Sequence, residues 1–196
     1  MKIFSGLLAM VAVLNALVAG AAEQPAAGKF LVASEDAAGT AFEKTVILLL
    51  HYDELGAQGL VINRKSDADL GDVFPGSEML AGYAGPLFWG GPVRMTTMRA
   101  LLRSDEPPED AVALVADVYQ VALDADLRDY ALDDAYLRFY VGYAGWSPGQ
   151  LDSELRFGHW DVVVANGDAV FSSTPGTVWQ SLRPAQQYRA QRTAVD

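Results

Sequence analysis

The segment "TVILLLHY", residues 45–52, is a continuous apolar run from Val46 to Leu50 with the length and β-branched content of a strand buried on both faces. Such a strand needs cover above and below, which excludes a single exposed ribbon. "KFLVAS" before it and "GLVINR" after it read as further strands. Between the last two lies "DELGAQG", where Gly56 and Gly59 suit a turn, so residues 45–64 are expected to form a hairpin with a longer loop. The acidic "SDADLGDVFPG" reads as a loop with a short helical turn. "GPLFWGGPVR" carries a short strand into a Gly90-Gly91-Pro92 turn, and "MRALLRS" resumes a strand. "DEPPED" is a solvated loop, "AVALVADVYQVAL" has strand composition, and "DADLRDYALDDA" looks helical. "YLRFYVGYAG" alternates at period two. "WDVVVANGDAVFSS" is expected to form two strands around an Asn166-Gly167 turn of type I′, followed by a helix over about residues 174–189. With 196 residues, 51% of them hydrophobic and 20% charged, the chain can bury one sizeable core. The expected fold is a single α+β domain with a mixed sheet.

The first residues set Lys2 before an apolar run from Ile3 to Val18 and the small residues Ala19, Gly20, Ala21 and Ala22, the layout of a cleaved signal peptide. The expected division is a leader over 1–21, a linker over 22–28, the domain over 29–190 and a tail over 191–196. The product is then periplasmic or secreted, with no membrane span once the leader is removed. If the leader is misread, it is cytoplasmic. The chain has no cysteine, which excludes disulfides, thiol catalysis and cysteine-ligated metals. A formal net charge of −11 repels phosphate backbones, and the one basic cluster, Arg183, Arg189 and Arg192, is thin. Direct nucleic-acid binding is therefore disfavoured, and the expected partner is a protein or small molecule of unspecified identity.

Gly145-Trp146-Ser147-Pro148-Gly149 satisfies the G-x-S-x-G pattern of a hydrolase nucleophile elbow, and it stands between a strand and a helix as an elbow must. The mechanism fails at the next residue. The oxyanion hole of that architecture takes a donor from the backbone N–H after the nucleophile, and Pro148 has none. The same residues can serve the helix: Ser147 as N-cap, Pro148 at the first helical position, Gln150 closing a capping box, and Trp146 with Leu151 as a hydrophobic staple. Gly158 fits the position after the helix end. A triad would have to recruit His51 or His159, the two histidines of the chain.

His51-Tyr52-Asp53-Glu54 contains metal-ligand residue types, but neighbours on an extended chain point in opposite directions, so a polar strand end is expected and no metal. Gly90-Gly91-Pro92 lacks the Lys-Ser or Lys-Thr of a P-loop and reads as a tight turn. No cofactor is expected. Asn63 at a strand end and Glu154 beside the apolar Leu151/Leu155 stripe are candidates for orienting a small ligand. Glu154 has a second reading, pairing with an arginine such as Arg156 or Arg64. Tyr143, Trp146 and Trp160 suit either stacking on a ligand or core packing.

These motifs together resemble the AlgH/YqgE family of bacterial proteins. The resemblance rests on "GYAGWSPGQLDSEL" followed by "HWDVV", on "GLVINR" and "FWGGPV", and on their order after "KFLVAS" and "FEKTVILLLHY", over roughly residues 28–183. It implies a bifurcated, partly barrel-like sheet flanked by helices. It implies no established reaction, and a link to transcriptional control of alginate synthesis that is one of genetic association. Family members generally lack a signal peptide, and "DEPPED" and "LDADLRDYALDDA" look individual to this chain. The candidate cleft comprises His51, Asn63, Gly90, Gly91, Gly145, Trp146, Gln150 and Glu154. The favoured function is a non-catalytic binding or regulatory module of the cell envelope, ahead of a transcription-linked regulator and of a serine hydrolase using Ser147.

Overall fold

The computed structural model describes residues 23–68, 73, 83, 85–123, 133 and 135–183. Nine strands occur among them: β1 Lys29–Ala33, β2 Val46–Asp53, β3 Gly56–Val61, β4 Leu87–Trp89, β5 Val93–Arg103, β6 Val112–Val115, β7 Val118–Val121, β8 Leu137–Trp146 and β9 Trp160–Val164. Three short helices follow β8: α1 Gln150–Arg156, α2 Gly167–Val170 and α3 Val178–Leu182. The strands form one curled sheet in the order β6-β7-β5-β8-β3-β2-β1-β9.

The sheet divides along β8. Its first half pairs with antiparallel β5 on one side and parallel β4 on the other, while its last residues, Ala144 to Trp146, pair with β3. Gly90 sits at the fork, its carbonyl accepting from the Val61 N–H at 2.9 Å and its N–H donating to the Val141 carbonyl at 2.8 Å. A Cβ on Gly91, at φ 149°, would overlap the backbone of Tyr143 and Ala144. Only glycine allows two main chains to approach so closely.

Period-two alternation makes both faces of β1 and β2 apolar, and both are covered. Phe30, Val32, Val46 and Leu48 face Val170, Val178 and Trp179 of the C-terminal segment. Leu31, Ile47 and Leu49 face Trp146, Leu151 and Trp160. This is the burial expected of "VILLL". A third cluster, including Leu102, Leu137 and Phe139, lies beneath the outer strands.

Three local expectations change. The hairpin of residues 45–64 forms, but Asp53 pairs with Gly56, so the loop is the two residues Glu54 and Leu55, and "GAQG" belongs to β3. The strand composition of residues 111–123 resolves into two strands, β6 and β7. Asn166-Gly167 is no hairpin turn. Asn166 is extended at φ −147° and its side chain accepts from the Ala169 N–H at 2.9 Å, capping α2 where a second strand was expected. A type I′ turn needs φ above zero at both corners, whereas an Asn followed by Gly-Asp satisfies an N-terminus equally well. The helix expected over 174–189 starts as a 3₁₀ turn at Pro175–Thr177 and runs on as α3. The remainder of that expected stretch, residues 184–189, with the leader, the tail and most of the stretches 66–76 and 124–135, lies outside the described residues.

Candidate functional site

Where β8 ends, Ser147-Pro148-Gly149-Gln150 turns the chain. The Gln150 N–H donates to the Ser147 carbonyl at 3.0 Å, with Gly149 at φ 71°, ψ −2°, the second corner of a type II turn. Ser147 is therefore not the N-cap, because α1 begins at Gln150 with Gly149 before it. Half of the expected capping box survives, the Gln150 Oε1 accepting the Ser147 N–H at 3.1 Å. Leu151 and Trp146 share one buried cluster, as the staple requires. The helix closes on Gly158 through two hydrogen bonds, Gly158 N–H to Leu155 and His159 N–H to Glu154, both 3.0 Å, a Schellman motif.

This turn and cap place Gln150 and Glu154 one helical turn apart on one face. The Gln150 amide donates to Glu154 Oε1 at 2.9 Å. Glu154 Oε2 accepts from two indoles, Trp146 at 2.8 Å and Trp160, the first residue of β9, at 2.7 Å. Bonds to an ionised acceptor are among the stronger protein hydrogen bonds. The two indoles stand edge to face, with centroids 6.1 Å apart at 81°. Phe42 meets the Trp160 ring at 5.7 Å and 70°.

Glu154 borders a cavity of about 240 Å³, lined also by Asp36, Thr40, Phe42, Trp146, His159 and Trp160. The segment between β1 and β2 supplies one wall, the end of β8 and start of β9 the indoles, and α1 the polar groups. On the same face of the sheet, the Tyr52 hydroxyl donates to Asp152 at 2.6 Å and ties β2 to α1. That bond, with burial and the charge of Asp152, raises the Tyr52 pKa.

Of the eight cleft candidates, Gly145, Trp146, Gln150 and Glu154 line this cavity. The others do not. His51 is exposed on β2 and lies 2.9 Å from the Asp53 carboxylate. Asn63 is buried and structural, its Oδ1 accepting from the Val46 N–H at 2.8 Å and its Nδ2 donating to the Lys44 carbonyl at 2.9 Å. Gly90 and Gly91 serve the fork of the sheet. Glu154 takes neither arginine as partner among the described residues. Arg64 instead donates to the Ala41 and Glu43 carbonyls at 2.6 Å and stacks over Trp89. Tyr143 stacks on Arg99. Trp160 and His159 joined the site from "HWDVV", while Asp36, Thr40 and Phe42 carry no local signal of it.

The elbow reading gains nothing from the geometry. Ser147 is not among the cavity lining, its N–H is taken by Gln150, and Pro148 offers no donor. Among the described residues no cluster of three or more histidines and acids could hold a metal.

The model of the AlgH-like family, DUF179, matches residues 30–190. A UPF0301 protein of Streptomyces coelicolor is 34% identical over 166 residues, 82% of this chain and 86% of that one. A UPF0301 protein of Mycobacterium tuberculosis is 33% identical over 172 residues, 85% of each chain. Among solved structures, a Corynebacterium diphtheriae protein superposes with a TM-score of 0.72 at 25% identity, covering 83% of this chain and 88% of that one. The AlgH protein of Pseudomonas aeruginosa does so with a TM-score of 0.61 at 25% identity, over 83% and 90%. These relatives bear family designations without an established activity. From the family match and the identity over most of its length, the chain belongs to the AlgH-like family.

Proposed function

We propose that this protein is a non-catalytic binding module of the cell envelope, with the cavity beside Glu154 as its site. The observation that carries the reading is the Glu154 carboxylate, held by two indoles and an amide at the edge of a 240 Å³ cavity. A few fixed polar groups among aromatic walls are what a small-ligand site needs. Among the described residues, a nucleophile with an adjacent base and an oxyanion hole, which acyl transfer needs, is not assembled at Ser147. Export rests on the leader, Lys2 followed by the Ile3 to Val18 run and Ala19 to Ala22. Of the basic C-terminal residues, Arg183 is engaged by Glu35 at 2.6 Å, which leaves less for phosphate contacts.

Two measurements test this. Cell fractionation with intact mass is expected to find a periplasmic product starting near Ala22 or Glu23; a full-length cytoplasmic protein would overturn the envelope assignment and favour a transcription-linked role. A chemically diverse fragment set is expected to move the indole N–H resonances of Trp146 and Trp160 saturably. If none of the fragments moves them, the binding reading falls.

A further inference from the structure

Building on the cavity as a binding site, we infer that its ligand carries a small alkylammonium group. Charge is the first ground. The lining contains the carboxyl groups Asp36 and Glu154 and no lysine or arginine, His159 being its one other titratable side chain.

Donor supply is the second. Each indole has one N–H, and those of Trp146 and Trp160 are both committed to Glu154. What these rings can offer a ligand is π surface. The Thr40 hydroxyl donates to the Ala37 carbonyl at 2.7 Å. Beyond the Gln150 amide and the His159 ring, an anion would find few donors in the lining, while a cation finds carboxylates and aromatic walls, the pair of attractions that recognises ammonium ions.

The third ground is a contrast within the molecule. Trp89 carries Arg64, Tyr143 carries Arg99, Phe88 and Phe171 carry Arg138, and Trp179 carries Arg183, with guanidinium to centroid distances of 4.6 to 5.4 Å. Trp146 and Trp160 have no such cation among the described residues, although an acid lies against both. Size narrows the class, since 240 Å³ falls below the roughly 300–1,000 Å³ of sites for drug-sized molecules. The cavity takes a head group, with the remainder of a larger ligand outside.

The test titrates the full mature chain with choline and n-butylammonium, with 3,3-dimethylbutan-1-ol as the neutral isostere of choline and with 3,3-dimethylbutanoate as the anion. The readout is the indole N–H resonances, assigned through Trp146→Phe and Trp160→Phe. At least one ammonium probe is expected to bind tenfold or more tightly than alcohol and anion. Glu154→Gln is expected to weaken it about tenfold, and Asp36→Asn, on an exposed side chain, a few-fold without disturbing the fold. Equal binding of the alcohol, or tighter binding of the anion, at the same indoles would overturn the ammonium inference and leave the binding module standing. Silence from both ammonium probes while other fragments bind would do the same. Silence from every compound would remove both.

Discussion

Arg138 and Glu154 are both ionic side chains held among aromatic rings, one sealed within the fold and one beside a cavity. Arg138, on β8, is 1% exposed, its guanidinium 4.6 Å from the Phe88 centroid and 5.4 Å from that of Phe171. It donates to the Val170 and Ser172 carbonyls at 2.8 Å, the first an acceptor that α2 leaves open at its C-terminal end and the second just beyond its cap. The charge is thus used to fasten the C-terminal segment onto the sheet. Trp179 helps from the same side, its indole donating to the Ala33 carbonyl at 2.8 Å. Around Glu154 the roles invert: the rings donate, the acid accepts, and one side of the arrangement stays open. The difference teaches that an aromatic clasp closed by the chain's own groups fastens the fold, whereas one left open on a side puts its carboxylate at the border of a cavity.

The largest effect should come from breaking the closed clasp. Arg138→Met strips the two carbonyls of their donor and is expected to cost about 3–5 kcal/mol, read as a shift in the urea midpoint. Arg138→Lys should recover less than half, because an ammonium cannot reproduce the planar fork that bridges two carbonyls. A loss below 1 kcal/mol for Arg138→Met would show that the clasp is not structural.

Next is the tie between β2 and α1. Tyr52→Phe removes a hydrogen bond to a carboxylate and should cost about 1.5 kcal/mol. The raised Tyr52 pKa fixes the pH dependence. The folded state holds the hydroxyl proton more tightly than the unfolded chain does. The contribution is therefore complete below the unfolded value of about 10 and fades as pH rises through the folded one. Wild type and Tyr52→Phe should differ steadily through neutral pH and converge in alkaline solution; a gap that widens there contradicts this.

Opening the Glu154 clasp should be milder for the fold. Glu154→Gln exchanges a charged acceptor for a neutral one and is expected to lower stability by about 1 kcal/mol, a change that calorimetry resolves. A destabilisation as large as that of Arg138→Met would place Glu154 with the structural charges. Ser147→Ala should do least, under about 0.5 kcal/mol, because Ser147 is exposed and does not cap α1. A loss near 1 kcal/mol would restore it as a cap.

Much of the fold was legible because its signals are local. The Val46 to Leu50 run announced a doubly buried strand, Gly90-Gly91-Pro92 a chain reversal, and Gly158 a helix end, each from neighbouring residues. Asn166-Gly167 misled because one dipeptide serves two backbones. The decision between them lies with Val170, buried in the core, and with Arg138, which takes its carbonyl. The site was half legible. Gln150 and Glu154 share a face by helical period, yet Asn63 looked equally suited until both its amide atoms were found on backbone groups of Lys44 and Val46.

By itself the sequence determined the family, the strands with two apolar faces and the helix after β8 with its Gly158 cap, since period, capping and left-handed glycines act within a few residues. Only tertiary structure decided that Trp160 reaches Glu154, that Phe42 and Asp36 complete the wall, and that Arg138 is sealed while Glu154 is not. Those outcomes follow from β9 lying on β1 and β8 on β3, which bring distant segments to one face of the curled sheet. No spacing within a single segment encodes which charge will be sealed and which will border a cavity.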